Sequence, residues 1–185
     1  MAVTLTADRS VLLLIDLQQR LMPSIAGGEA VVANVRRLAE AARLLGVPVV
    51  ATEQNPAGLG GTIPAFAALP ARRLDKRFFD ATREADFESF LPAGRPAIVA
   101  AGCEAHVCVM QTVLGLLDRG RAVSLVADAV GSRSPANRDA ALARAARHGA
   151  ELVTTEMVLF EWLATSDHPR FREVLDLVKA EGAPP

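Results

Sequence analysis

The sequence predicts a single doubly wound α/β domain built on a parallel sheet. Helical patterns alternate with five continuous apolar runs, and such runs suit strands that are buried on both faces. The runs lie at residues 10–15, 47–51, 97–101, 122–127 and 150–153. Alternation of this kind implies right-handed crossovers with helices on both faces of the sheet. A length of 185 residues needs only one domain, which we take as 1–185 with a loose tail at 182–185.

The segments after the early strands fit their places in this fold. The first run ends at Asp16, and apolar residues at helical spacing then predict a helix over 29–45 that Gly46 ends. Residues 74–76 form a candidate sixth strand, which is short. Residues 107–117 are apolar nearly all round, as expected of a buried helix.

The C-terminal part of the chain continues the same alternation. Ser134 and Pro135 fit the N-cap and the first position of a helix that extends to about His148. Two shorter amphipathic stretches follow, at 157–163 and 171–178. The predicted sheet therefore has helices available for each of its faces.

Composition and charge exclude several classes of partner. The 20 basic and 21 acidic residues nearly balance, and no basic stripe alternates with aromatic residues, so we expect no nucleic-acid partner. No apolar run reaches the ~18 residues that span a bilayer, and we expect no membrane partner. Asp8 and Arg9 precede the first apolar run, which argues against a signal peptide. The two cysteines, Cys103 and Cys108, form a poor disulfide framework, which predicts a reduced, cytoplasmic setting.

Cys108 is the leading candidate for a reactive group. The apolar run before it breaks at Gly102, and a helical pattern starts soon afterwards, as in a strand, a tight turn and a helix N-terminus. Unpaired N–H groups and the helix dipole would favour the thiolate there, so Cys108 is a candidate nucleophile. The alternative is a small buried hydrophobic residue, since free cysteines are often buried.

Two further polar residues lie where a parallel sheet binds its ligands, outside the carboxyl ends of the strands. Asp16 follows the first apolar run, and Lys76 follows Leu74 in the short strand. Although these residues are far from Cys108 in sequence, this fold gathers strand ends along one edge. The three form a plausible catalytic set, in which the ammonium favours the thiolate and the carboxylate moves the proton.

Other residues near this edge have two readings each. Gln54 follows the second strand and is either a substrate contact or simply a polar loop residue. His106 lines the pocket or caps the turn, because side chains two residues apart do not face each other as a Cys–His dyad requires. Cys103 most simply packs in the core, although a redox pair with Cys108 remains open. Arg133 either orients acidic groups around the site or forms a structural ion pair.

Several motifs in this order resemble the isochorismatase-like cysteine hydrolase family. The resemblance covers nearly the whole chain and is closest to the isochorismatase domain-containing subgroup through residues 58–60 and 104–108. The matching segments are residues 13–18 (Leu-Leu-Ile-Asp-Leu-Gln), 52–54 (Thr-Glu-Gln), Lys76 with Phe79, 102–109, and 128–134.

The resemblance implies a fold, a reaction and a set of residues. It implies a six-stranded sheet of order 3-2-1-4-5-6 and an Asp–Lys–Cys triad carried by Asp16, Lys76 and Cys108. It also implies a cis, non-proline peptide bond between Cys103 and Glu104, with the N–H groups of Glu104 and Cys108 as the oxyanion hole. The expected reaction is hydrolysis of a small amide through a thioester, with Gln54 and His106 as candidate substrate contacts.

One departure from the family concerns metals. The family's nicotinamidases hold a metal through an aspartate and histidines between the second strand and the lysine, whereas this chain has no histidine before His106. We therefore expect no metal and no other cofactor, and we do not expect nicotinamide as the preferred substrate. Three other functions stay open: an isochorismatase-type vinyl ether hydrolase, a non-catalytic scaffold, and a redox-sensing thiol protein.

The resemblance also implies a homo-oligomer, as a dimer or larger. The stretch 157–163, which carries Phe160 and Trp162, offers a compact apolar patch for contact between subunits. The alternative is that this patch packs against its own sheet, and for Trp162 that is the simpler reading.

Overall fold

The computed structural model describes residues 4–179, which contain a six-stranded, all-parallel sheet. The strands are β1 (Ser10–Ile15), β2 (Val49–Gln54), β3 (Arg72–Lys76), β4 (Ala97–Cys103), β5 (Ala122–Gly131) and β6 (Glu151–Val153). They lie in the order β3-β2-β1-β4-β5-β6, which confirms the predicted fold class and strand order. The predicted loose tail at 182–185 lies outside the described residues.

Helices cover both faces of the sheet. They are α1 (Gly28–Leu45), α2 (Pro56–Leu59), α3 (Phe87–Phe90), α4 (Met110–Asp118), α5 (Pro135–Arg147), α6 (Thr155–Leu163) and α7 (Phe171–Lys179). The central strand β1 divides its side chains between two cores, because Leu12 and Leu14 pack with α1, α6 and α7 while Leu13 and Ile15 pack with α4 and α5. Within residues 4–179 no helix is both long enough and apolar enough to cross a membrane.

Two strands extend further than their apolar runs. Strand β2 continues through Thr52 to Gln54, whose backbone pairs with β3, and strand β5 continues to Gly131. The apolar runs stop before the strands do, because the last residues of these strands include polar side chains. The backbone still pairs there, so the sheet carries polar side chains directly into the candidate site.

The predicted helix 107–117 is wrong at its start. A π-helical turn, Ala105–Val109, precedes α4, and the N–H of Val109 donates to the Glu104 carbonyl at 3.2 Å. Cys108 therefore lies inside a wide helical turn and not at the N-terminus of an α-helix.

Gly102 brings the carboxyl ends of β1 and β4 unusually close. Its φ is +128°, and a Cβ atom at this position would lie 2.0 Å from the backbone oxygen of Ile15. Only glycine fits such an approach without moving the backbone. The contact sets Asp16, the residue after Ile15, beside the turn that carries Cys108.

Candidate active site

Asp16 leaves the end of β1 in a left-handed conformation, with φ of +52°. Aspartate tolerates this region better than most residues. Its N–H donates to the Thr52 carbonyl at 3.1 Å, and its Oδ1 accepts a hydrogen bond from Thr52 Oγ1 at 2.7 Å. Strand β2 thereby fixes a carboxylate that is completely buried.

Lys76, the last residue of β3, forms a buried ion pair with Asp16. Its Nζ lies 2.7 Å from Asp16 Oδ2, and both side chains have an exposed fraction of 0%. The contact is short but badly angled for a hydrogen bond, and Oδ2 makes none within the described residues. The lysine also donates to Gln54 Oε1 at 2.7 Å. The pair is neutral overall, while Oδ2 keeps lone-pair capacity for another proton.

The Cys108 thiol lies beside this pair and interacts with both charges. Its Sγ is 3.9 Å from Gln54 Oε1. The structure thus brings together the three residues that the sequence placed at one edge of the sheet. It also brings Gln54 among them.

The thiolate predicted for Cys108 is wrong for the resting state. Burial, followed by the charge of Asp16, raises the pKa of Cys108 to about 12, and the opposing attraction of Lys76 is too small to compensate. A pKa raised in this direction disfavours the thiolate at neutral pH. Cys108 therefore rests as a neutral thiol, and an attack by its sulfur requires a base that removes the proton at the same time.

The side-chain amide of Gln54 has hydrogen-bond partners within the protein at both its nitrogen and its oxygen. Its Nε2 donates to the Arg77 carbonyl at 2.9 Å, and its Oε1 accepts from Lys76. The side chain of Gln18 holds the Gln54 backbone, accepting from its N–H at 2.8 Å and donating to its carbonyl at 3.1 Å. The sequence singled out Gln54 but did not indicate these partners.

Glu104 begins the π-helical turn after a cis peptide bond with Cys103, at the position that the resemblance implies. Its Oε2 accepts hydrogen bonds from both N and Nε of Arg133, each at 3.0 Å. Partial burial raises the pKa of Glu104, but the hydrogen bonds and the charge of Arg133 outweigh it and lower the pKa below its usual value. Of the two readings of Arg133, the structure has the ion pair, which tethers the turn that carries Cys108.

His106 joins the same turn to the segment after β5. Its Nδ1 is 3.0 Å from Ser132 Oγ, and its Nε2 is 3.5 Å from Asn137 Nδ2. Both ring nitrogens thus have polar neighbours from the segment after β5. Substrate contact by His106 stays a prediction.

Cys103 is the completely buried last residue of β4. Burial raises its pKa to about 12, and both cysteines are free thiols. This environment agrees with the packing role. Among residues 4–179, no group of three or more histidine, cysteine, aspartate or glutamate side chains is arranged to hold a metal ion.

A groove of about 940 Å³ runs along α1, away from these residues. It includes no member of the Asp16, Lys76 and Cys108 set, and its apolar lining comes from the core on the opposite face of the sheet. We therefore locate the candidate site by its chemistry and not by the size of a cavity.

Two residues that shape the site had no predicted role. Thr52 holds the Asp16 carboxylate, and Gln18 holds the backbone of Gln54. Both are buried polar residues that immediately follow or interrupt apolar runs. That pattern is the signal that could have identified them, because a buried polar side chain requires a partner.

The sequence of this chain matches known proteins over most of its length. The sequence pattern of the isochorismatase domain matches residues 10–157. Isochorismatase domain-containing protein 2 of Danio rerio is 39% identical over 175 residues, which cover 94% of this chain and 89% of the relative.

Two solved structures are similar over almost the full length. The MAR1 ribonuclease from Caenorhabditis elegans has a TM-score of 0.90 and 36% identity, covering 98% of this chain and 95% of that one. YcaC from Pseudomonas aeruginosa, solved with hexane-2,5-diol and covalent acrylamide, has a TM-score of 0.84 and 26% identity, covering 99% of each chain.

Proposed function

The chain belongs to the isochorismatase-like hydrolase family, and on that premise we propose that it is a cysteine hydrolase that cleaves a small amide through a thioester on Cys108. One observation carries the proposal. The neutral Cys108 thiol lies beside a buried carboxylate, Asp16, which is held by Thr52 and Lys76 and whose Oδ2 makes no hydrogen bond within the described residues. A weakly acidic thiol becomes a nucleophile when a base with a free lone pair removes its proton as the sulfur attacks.

The first half of the reaction forms the thioester. Asp16 Oδ2 takes the Cys108 proton while Sγ attacks the amide carbon, and the electrons of the carbonyl bond move to its oxygen. The N–H groups of Glu104 and Cys108 bind the resulting oxyanion. When the oxyanion collapses, the C–N bond breaks, and the proton on Asp16 passes to the leaving nitrogen as ammonia or an amine.

The second half restores the enzyme. Asp16 takes a proton from a water molecule whose oxygen attacks the thioester carbon. The C–S bond then breaks, a carboxylic acid leaves, and Asp16 returns the proton to the sulfur. Lys76 carries its positive charge throughout and stabilises the sulfur and carboxylate whenever either is negative. Every proton that Asp16 accepts is given back, so the cycle returns the site to its starting protonation state.

The presence of Cys108 supports amide hydrolysis over two alternative functions. An isochorismatase-type vinyl ether cleavage needs a general acid such as Asp16 but no thiol, and the usual isochorismatases lack this cysteine. A scaffold protein would have no need of a buried ion pair directed at a thiol. The covalent acrylamide on the related YcaC supports a nucleophile in this fold, since acrylamide reacts readily with thiols.

Ribonuclease activity, which is attributed to the relative from Caenorhabditis elegans, has less support here. RNA binding depends on an excess of cationic side chains that release counterions from phosphates. This chain has 20 basic and 21 acidic residues and a net charge of −1. A small neutral or anionic amide fits that balance better than a polynucleotide.

We also propose that the protein works in the cytoplasm and forms a homo-oligomer. Two free, buried cysteines fit a reducing cytoplasm. Met157 and Phe160 of α6 are exposed by 44% and 39% and lie side by side in an apolar patch that a second copy of the chain would cover. Trp162 does not belong to the patch, because it is buried and donates to Ser10 Oγ at 3.0 Å.

Ammonia release from a panel of small primary amides tests the proposed function. We expect one or more amides to be turned over by the wild-type protein and not by Cys108→Ala. The matched control is Cys103→Ala, which removes the other buried thiol and should retain turnover. Equal hydrolysis by wild type and Cys108→Ala would contradict the proposal, and so would turnover of an RNA oligonucleotide but of no amide.

A further inference from the structure

We propose that Gln54 is a positioning residue that holds the Lys76 ammonium toward Cys108 and thereby keeps Lys76 from pairing only with Asp16. This inference rests on the proposed function of the site and concerns how its positive charge is directed. It differs from the substrate contact expected for Gln54, because it assigns the side chain an interaction within the protein.

The amide of Gln54 is oriented before any substrate binds. Its Nε2 donates to the Arg77 carbonyl at 2.9 Å, so its Oε1 must face the other way, toward Lys76. A reversed amide would place its NH₂ group against an ammonium and its oxygen against a carbonyl, and both contacts would be repulsive. Gln18 fixes the backbone at the same point.

Lys76 consequently lies between two oxygens at equal distance, one an ion-pair partner and the other a hydrogen-bond acceptor. Its Nζ is 2.7 Å from Asp16 Oδ2 and 2.7 Å from Gln54 Oε1, while its third neighbour, the Phe78 carbonyl, is 3.5 Å away. An ammonium that is completely buried needs partners for its protons. Without Gln54, the ammonium would lose its 2.7 Å hydrogen bond, and the attraction of the Asp16 carboxylate would draw it toward Oδ2.

The same amide oxygen also faces the thiol. The Cys108 thiol donates to this oxygen, with Sγ 3.9 Å from Gln54 Oε1, so one amide oxygen holds both the ammonium and the thiol. A neutral acceptor suits this place, because a carboxylate would add a second negative charge beside a sulfur that must become negative. Glutamine therefore anchors the lysine and opposes ionisation of the thiol less than a carboxylate would.

Alkylation of Cys108 by iodoacetamide measures this effect without any substrate. We expect Gln54→Met, which keeps the length of the side chain and removes its acceptor, to slow Cys108 alkylation at least about threefold as Lys76 retreats from the sulfur. Gln19→Met is the matched control, because Gln19 is exposed and outside the site, and its alkylation rate should equal that of wild type. Mass spectrometry of the peptides separates Cys108 from Cys103.

A charge-neutral background distinguishes positioning from direct contact. In Asp16→Asn/Lys76→Met, which removes both buried charges together, adding Gln54→Met should no longer slow Cys108 alkylation, since no ammonium is left to direct. An equal slowing in both backgrounds would overturn the proposal, as would a wild-type rate in Gln54→Met alone.

Cys103 reports whether each variant stays folded. It is completely buried, so its alkylation marks opening of the sheet. If iodoacetamide labels Cys103 in a methionine variant, that variant has opened, and Gln54→Glu is used in its place. Glutamate keeps an acceptor for Lys76 but adds a negative charge. The pH profile of Cys108 alkylation should therefore shift to higher pH. An unshifted profile would overturn the proposal. All these rates are independent of turnover, so a failure to find an amide substrate would leave this test intact.

Discussion

Replacing Asp16 by asparagine should make Cys108 more reactive toward alkylation while it removes hydrolysis. The Asp16 carboxylate is one of the causes that raise the pKa of Cys108, and Lys76 opposes it. Asparagine keeps the size of the side chain and can still bond Thr52, but it carries no charge. The thiol would then face the Lys76 ammonium alone, and its pKa should fall.

The size of the effect follows from the proximity of the charges. An adjacent unit charge shifts a pKa by about 1–3 units, so the thiolate population at about pH 8 should rise roughly 10- to 1,000-fold. A less basic thiolate is also a weaker nucleophile, with a Brønsted coefficient of about 0.4–0.5, which cancels about half of the gain on a logarithmic scale. We therefore expect iodoacetamide to alkylate Cys108 about 3- to 30-fold faster in Asp16→Asn than in wild type.

Hydrolysis should change in the opposite direction. Asparagine cannot take the proton from the thiol or give it to the leaving nitrogen, and loss of a general acid–base group typically costs about 10²- to 10⁴-fold in rate. Asp75→Asn is the matched control, since Asp75 is exposed and adjacent to Lys76, and both of its rates should equal those of wild type. Unchanged or slower alkylation in Asp16→Asn would refute the electrostatic reasoning, and a loss of hydrolysis below about tenfold would refute Asp16 as the base.

Three further predictions concern stability and assembly. Because burial raises the pKa of Cys103 and Cys108 to about 12, the unfolded chain loses its thiol protons before the folded chain does as the pH rises. Each thiol should therefore lower the free energy of unfolding by ~1.4 kcal/mol per pH unit above about pH 9. Urea unfolding at two alkaline pH values checks this, and Cys103→Ala with a slope equal to that of wild type would contradict it. Gly102→Ala should cost about 3 kcal/mol or more, because its Cβ would collide with the Ile15 carbonyl; a melting temperature within about 2 °C of wild type would argue against that contact. Light scattering should give a mass well above the 19.6 kDa of one chain, and Phe160→Asp should reduce it; a monomeric wild-type protein would exclude assembly.

The sequence predicted the parts of this protein that depend on local hydrophobic pattern. The apolar run before Asp16 and the helical spacing over 29–45 correspond to β1 and α1, within one residue at each end. Lys76 was placed at the end of a strand from only three residues, 74–76, and it does end β3. Parallel-sheet topology then brought Asp16, Lys76 and Cys108 to one edge.

The chemistry of the site was harder to predict because it depends on tertiary contacts. The sequence suggested a helix N-terminus and a thiolate at Cys108, whereas burial and the Asp16 charge raise the pKa of that thiol. The partners of Gln54 likewise depend on the register of β2 against β3, which aligns Gln54 with Lys76. A single residue of shift in that register would turn the amide away from the ammonium.

Direct detection of a covalent intermediate tests the central role of Cys108. A substrate amide from the ammonia-release panel would be mixed with the protein and quenched in acid within the first turnover, and the mass of the intact chain would be measured. We predict an added acyl group that maps to Cys108, that is absent in Cys108→Ala, and that persists in Cys103→Ala. Ammonia release at the wild-type rate with no acyl group on Cys108, or with the acyl group on another residue, would contradict catalysis through a Cys108 thioester.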